Sequence, residues 1–282
     1  MTELPSIPLP GTGQAGADEI TFIGTATTLI KVAGFSILTD PNFLHQGERA
    51  YVGLGLSTKR LTDPALSIGQ LPPLDFVVLS HHHEDHFDKR TARELDHDLP
   101  IVTVPHAARK LRGQGFRSPM ALSTWQSRAF TRADAAVRVT SVPGKHAPRP
   151  LGYAIPPVMG SVLDFSRDGQ RRLRLYITGD TLLHDGINAI AERFSDIDLC
   201  LIHLGGTRIA GVLLTMDARQ GVEALRIVAP REAIPVHYDD YTLFKSPLAD
   251  FRQRAERAGL PVSIRYLARG ETYRLALGVP GS

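Results

Sequence analysis

Asp75-Phe76-Val77-Val78-Leu79-Ser80-His81-His82-His83-Glu84-Asp85-His86 is the stretch on which the reading of this chain turns. Its first half is a short apolar run, the composition of a strand buried on both faces. Its second half sets histidines and acids side by side. In extended backbone His81 and His83 project to one side and His82 to the other. Asp85 and His86 follow as the chain turns away, so they reach a second position beside the first. Such a segment can supply ligands to two metal ions, and imidazole with carboxylate suits zinc, manganese or iron. The plain alternative is a solvated polar loop, which rarely follows a buried strand so directly.

Working outward, Ile20 to Ile23, Thr28 to Val32 and Phe35 to Thr39 read as a β-meander, with Gly34 turning the chain between the last two. A long irregular stretch from Pro41 to Pro73 follows. Its Phe43, His45, Arg49, Tyr51, Leu54 and Leu56 suit either a lid over an organic substrate or packing over a sheet edge. Asp88 is placed to cap a helix through Arg90, Arg93 and Glu94. Ile101 to Val104 is a further strand, and Pro105 opens a second helix. Val137 to Val142, Gly160 to Phe165 and Leu173 to Thr178 are strands, the last two joined by an Asp168-Gly169 turn. Helices are expected over 187–194, 217–228 and 248–258, the last stopped by Gly259 and Pro261. Strands around Cys200 and Ile234 alternate with them. Strand clusters with interspersed helices predict a layered α/β protein.

The chain has 282 residues, 43% hydrophobic and 22% charged, with no linker or composition break, so one domain is expected over 19–282. Residues 1–18, rich in Pro and Gly and without apolar periodicity, read as a flexible arm. The net charge of +3 is spread out, which favours a small-molecule substrate over nucleic acid. No apolar run is long enough for stable membrane insertion, and no secretory signal is visible. The single cysteine, Cys200, rules out an intramolecular disulfide and reads as a packed thiol. Together these features point to the cytoplasm. A homo-oligomer stays open.

The spacing His81-x-His83-x-Asp85-His86 resembles the signature of the metallo-β-lactamase superfamily. Three further segments fit that resemblance in the family's order: Gly144-Lys145-His146, Ile177-Thr178-Gly179-Asp180-Thr181 and Ile234-Pro235-Val236-His237-Tyr238. Within the superfamily the chain is most similar to the ascorbate-6-phosphate lactonase-like and N-acylphosphatidylethanolamine phospholipase D-like hydrolases. Thr39-Asp40-Pro41-Asn42-Phe43, Lys59-Arg60, Gly205-Gly206-Thr207 and Thr215-Met216-Asp217 carry that narrower likeness.

The resemblance implies a four-layer αββα sandwich and a hydrolase with two divalent ions, zinc first, manganese or iron otherwise. His81, His83 and His146 would hold one ion, Asp85, His86 and His237 the other, and Asp180 would bridge them. It implies attack by a metal-bridging hydroxide on an ester-type bond, a phosphodiester or lactone, with Asp85 or Asp180 relaying the proton. An amide hydrolase, a di-iron oxidoreductase and an RNase Z-like nuclease are the alternatives, although the chain lacks a flavin domain or long basic insertion. Asp40 would either orient a ligand histidine or cap its strand. His203 is a candidate catalytic residue by its place at the end of the Cys200 strand, with a hydrogen-bonded structural role equally open. His184 could line the cleft or start a helix. Tyr238, Asp239, Asp240, Tyr241 and Lys245 could shape a pocket or lie solvated on the surface.

Overall fold

The apolar run before the histidine cluster forms β7 (Phe76–Val78), and all three of its residues are buried. In the computed structural model, which describes residues 1–11, 16–53, 55–148, 152 and 155–276, this strand lies between parallel neighbours β4 (Phe35–Thr39) and β8 (Ile101–Thr103). Val77 pairs with Leu38 on one side and with Ile101 on the other. The meander β2 (Glu19–Gly24), β3 (Thr27–Val32) and β4 continues the sheet. β9 (Pro119–Ala121) and β19 (Thr272–Arg274) form its edges, giving seven strands in the order β19-β2-β3-β4-β7-β8-β9.

A second sheet of eight strands faces it. Its antiparallel part is β10 (Gln126–Arg132), β11 (Ala135–Pro143), β12 (Met159–Arg167) and β13 (Gln170–Ile177). β14 (Leu199–His203), β17 (Glu232–Val236) and β18 (Ser263–Ile264) follow in parallel. Asp168 and Gly169, both at positive φ (51° and 72°), make the turn expected between β12 and β13.

Alternation along these strands divides the apolar residues between two cores. Leu163, Leu175, Ile177, Leu199, Leu201 and Ile234 point toward the first sheet. Val162, Tyr176, Cys200, Ile202 and Ala233 point the other way, onto helices. A period of two on a sheet covered on both faces produces this partition. Between the sheets Phe76 stacks on Phe130 with ring centroids 4.0 Å apart.

The helices α3 (Gly186–Arg193), α4 (Ala218–Val228) and α5 (Leu248–Ala258) cover the outer face of the second sheet. α1 (Lys89–Glu94) and α2 (Pro105–Gly113) accompany the first. Asp88 caps α1 by accepting from the backbone N–H groups of Arg90 and Thr91 at 2.6 and 2.9 Å, and Pro105 occupies the first turn of α2. The result is the αββα layering that the resemblance implies. No helix among the described residues is long and apolar enough to cross a membrane.

Two expectations need correction. The supposed flexible arm contains β1 (Thr2–Pro8), which pairs in parallel with β10 at the edge of the second sheet. Leu4, Ile7 and Leu9 pack against the main core, and the exposed backbone of β10 supplies the partner that local sequence does not reveal. The register shifts between Leu4 and Ile7, where Pro5 has no N–H to give. Residues 12–15 of the same segment lie outside the described residues. The stretch from Pro41 to Pro73 is not wholly irregular either: β5 (Arg49–Tyr51) and β6 (Ser57–Lys59) pair in it as a hairpin. A second hairpin, β15 (Arg208–Ile209) with β16 (Val212–Leu213), has strands too short to leave a periodic signal.

Candidate metal centre

Both sheets end at the same rim, and each contributes side chains there. At the end of β7 the Ser80 N–H donates to Asp40 Oδ1 at 2.7 Å. The chain then turns, with the N–H groups of His86 and Phe87 donating to the His83 carbonyl at 3.0 and 2.8 Å. This turn brings His81, His83, Asp85 and His86 to one point. From the facing sheet come His146 beyond β11, Asp180 beyond β13 and His237 beyond β17.

The backbone is forced into shape at two of these ends. Gly179 has φ +63°, and a Cβ there would stand 2.5 Å from the Met159 carbonyl oxygen, so glycine is required just before Asp180. His237 itself has φ +62° and Asp40 φ +34°, conformations that cost a non-glycine residue roughly 1–3 kcal/mol. His237 is held there by its N–H, which donates to the Thr25 carbonyl at 2.6 Å.

His81, His83 and His146 form one group of potential donors, and Asp85, His86, Asp180 and His237 another. His81 Nε2 lies 2.9 Å from His83 Nδ1, and His146 Nε2 lies 3.3 Å from that same Nδ1. A tetrahedral ion with bonds of ~2.0–2.1 Å to nitrogen needs donor edges of ~3.3 Å, so the spacing fits. In the second group His86 Nε2 and His237 Nε2 stand 3.1 Å apart. Asp180 Oδ2 is 3.3 Å from His86 Nε2, and its Oδ1 is 3.4 Å from His237 Nε2. Asp85 Oδ2 is 3.6 Å from His237 Nε2.

Two outer nitrogens are anchored by carbonyls: His146 Nδ1 donates to Leu214 at 3.2 Å and His237 Nδ1 to Leu204 at 3.0 Å. Each bond fixes the tautomer that leaves a lone pair on the inward Nε2. Asp85 Oδ1 and Asp180 Oδ1 are buried without a hydrogen-bond partner among the described residues. Buried carboxylate oxygens are rarely left so, and a cation between the groups would satisfy both.

The electrostatics favour a positive charge at this point. Burial, reinforced by the neighbouring imidazoles, holds His81 far below the ordinary histidine value, and burial with His146 brings His83 down to about 3. Neutral imidazole is the form that binds metal. At His86 burial opposes protonation, but Asp180, Asp40 and Asp85 outweigh it and hold the group well above its usual value. His237 is raised in the same way, chiefly by Asp180. Asp180 is conversely held well below the carboxylate range, its burial outweighed by His237 and His86.

Behind the donors, Asp40 does both things expected of it. One oxygen takes the Ser80 N–H, and Oδ2 lies 3.4 Å from His86 Nδ1 and 3.3 Å from His203 Nε2. Burial would raise its carboxyl, but His86 and His203 bring it down to about 2. His203 is fully buried, with Nε2 3.3 Å from Asp40 Oδ2 and Nδ1 3.3 Å from Thr178 Oγ1. His82 bonds to Gln114 at 3.1 Å, away from the donors. His184 borders a separate groove beside His146, with its Nδ1 accepting from the Gly186 N–H at 3.1 Å. His45 pairs with Asp63, and His97 donates to the Ala92 carbonyl.

Several contributors were not singled out individually in the sequence. Thr215 donates its hydroxyl to Asp180 Oδ2 at 3.1 Å. The cleft over the donors is walled by Val52, Thr58, Thr207, Ile209, Leu214, Leu243 and Phe244, around an empty volume of about 310 Å³. Val52 and Thr58 come from the stretch expected to form a lid or wall. Of the residues named there, Phe43 is buried, Tyr51 and Leu56 are exposed, and Leu54 lies outside the described residues. Gly53 meets His83: a Cβ built on it would lie 3.6 Å from His83 Nε2. Of the residues just beyond the last ligand, Tyr238 packs on Phe22 while Asp240 and Tyr241 are buried. Leu243 and Phe244, a little further on, reach the cleft.

Comparison with known proteins agrees with this geometry. The chain is 27% identical over 227 residues to a metal-dependent hydrolase of Archaeoglobus fulgidus, covering 77% of this chain and 92% of that one. It is 26% identical over 244 residues to an N-acyl-phosphatidylethanolamine-hydrolyzing phospholipase D of Caenorhabditis elegans, covering 79% and 64% of the two chains. An isothiocyanate hydrolase from Delia radicum gut bacteria shares the fold with a TM-score of 0.78 at 20% identity, over 91% of this chain and 99% of that one. The β-lactamase superfamily domain matches residues 36–238, a span that runs from β4 past the last donor histidine. This chain therefore belongs to the β-lactamase superfamily and has the metallo-β-lactamase fold.

Proposed function

We propose that this protein is a metal-dependent hydrolase that works with two divalent ions on an ester-type bond, a phosphodiester or a lactone. The observation that carries the proposal is the pair of adjoining donor groups, together with two buried carboxylate oxygens that have no hydrogen-bond partner among the described residues. His81, His83 and His146 would hold one ion, Asp85, His86 and His237 the other, and Asp180 would be shared, with zinc the first choice and manganese or iron the others. Bound there, such ions acidify water and absorb the negative charge that develops on the bond being cut.

The chain's own residues supply orientation and proton handling. The Leu204 and Leu214 carbonyls and Asp40 aim the imidazoles. The Thr215 hydroxyl steadies Asp180. Asp85 or Asp180 would take a proton from the attacking water and return it to the leaving group. The apolar walls keep bulk water from competing.

The test is elemental analysis of protein purified without added metal, with turnover measured before and after chelation. About two equivalents of metal are expected, with activity lost on chelation and restored by metal. His81→Ala and Asp180→Ala should both be inactive. Full activity in chelator, or in either variant, overturns the proposal.

A further inference from the structure

We infer that the substrate group flanking the scissile bond is uncharged and apolar, as in an alkyl- or aryl-substituted lactone or ester, and hydrogen-bonds to Thr207. This rests on the hydrolase reading above and narrows its substrate class. Val52, Ile209, Leu214, Leu243 and Phe244 make the walls apolar, and no lysine or arginine among the described residues lines the cleft. Of its two threonines, Thr58 is engaged, its Oγ1 lying 3.1 Å from Thr242 Oγ1 and accepting from the Leu243 N–H at 3.2 Å. The Thr207 hydroxyl is buried and has no hydrogen-bond partner among the described residues. An apolar pocket with one free hydroxyl orients a neutral group and rewards it for a single polar atom.

The cations nearest in sequence are turned elsewhere. Arg208 reaches Asp217 at 3.6 Å and the Gly211 carbonyl at 3.1 Å. Lys245 donates to the Thr242 carbonyl at 2.7 Å. Both border a different depression, with Asp250 and Arg254. Lys145 borders the groove on the far side of His146. Metal ions would balance charge at the bond that is cut, but a second anionic group on the substrate would be stripped of water against these walls, with no lysine or arginine among the described lining residues to pair it.

Two lactones differing only in charge decide the matter: an alkyl-substituted δ-lactone and the same ring carrying a phosphomonoester. With the protein as purified, the neutral lactone should show a kcat/KM greater by about 30-fold or more. Thr207→Val should lower its kcat/KM by about 10-fold, the worth of one lost hydrogen bond. Ile209→Lys, which adds the missing cation, should narrow the preference by a similar factor. Calorimetry with the two corresponding lactams, which resist hydrolysis, should show the same order of affinity. Equal or better use of the phosphorylated ring, or an unaltered Thr207→Val enzyme, overturns the inference while leaving the hydrolase reading intact. If neither lactone is turned over, the lactam affinities decide: a preference for the charged one overturns the inference. Loss of the hydrolase reading itself would show as turnover indifferent to chelator.

Discussion

Asp240→Ala tests how the last donor histidine is held. Asp240 is fully buried, and its carboxylate accepts from the Thr25 N–H at 2.7 Å, from Arg269 Nη1 at 2.9 Å and from the Thr62 hydroxyl. Thr25 in turn accepts the His237 N–H at 2.6 Å, so the carboxylate fixes the segment against which the His237 turn is braced. Hydrogen bonds to a charged group contribute about 1.5–3 kcal/mol each. Arg269 is 36% exposed and regains water, so its share is small. Thr62 can rotate its hydroxyl to another acceptor. The buried Thr25 N–H has no such recourse and carries most of the loss. A total of roughly 3 kcal/mol follows, which for a chain of this size lowers Tm by about 6–10 °C. Freed from Thr25, His237 can leave its positive-φ conformation. Affinity for metal at its end of the site should then fall by about 10–100-fold, as for other residues that orient a ligand. Thermal melts together with zinc titration of metal-stripped protein read both effects. A Tm within about 2 °C of the parent, or unchanged zinc binding in a protein that has lost stability, would refute this reasoning.

Two further variants address the rest of the rim. Asp40→Asn keeps the bond from Ser80 but removes the negative charge facing His86 and His203; it should reduce kcat and metal affinity by about 10-fold or more with little change in fold, checked by metal analysis and circular dichroism. Gly179→Ala places a methyl group against the Met159 carbonyl at positive φ. A loss of about 2–4 kcal/mol is expected, read by urea denaturation, and a parent-like midpoint would show that the backbone has room to move.

What could be read in the linear chain follows from how local each signal is. His81, His83, Asp85 and His86 stood out because they lie within one turn, whereas His146, Asp180 and His237 were named from the family resemblance; folding brings all seven together. Alternation also gave the strands around Tyr176 and Cys200, and the cap at Asp88 identified its helix. β1 was missed because its partner, β10, lies far along the chain and Pro5 disguised it as loop. The roles of Asp240 and His203 were equally hidden. Asp240 answers to Thr25 and Thr62, and His203 to Asp40, so only folding brings the partners together. Thr207 was read only as part of a motif, because an unpartnered hydroxyl is defined by what surrounds it in space.

The donors are divided between facing layers, and this has a mechanical consequence. Closing the cluster ties the β7 turn to the ends of β11, β13 and β17, so bound ions would rivet the two halves of the sandwich together along one rim. Away from that rim the layers meet through apolar contact, such as Phe76 against Phe130, and through the ion pair of Arg132 with Asp75. Loss of the ions should therefore loosen the rim while those contacts hold the other side. The hairpins above it, 49–59 and 208–213, are free to diversify in length and composition without loosening the joint.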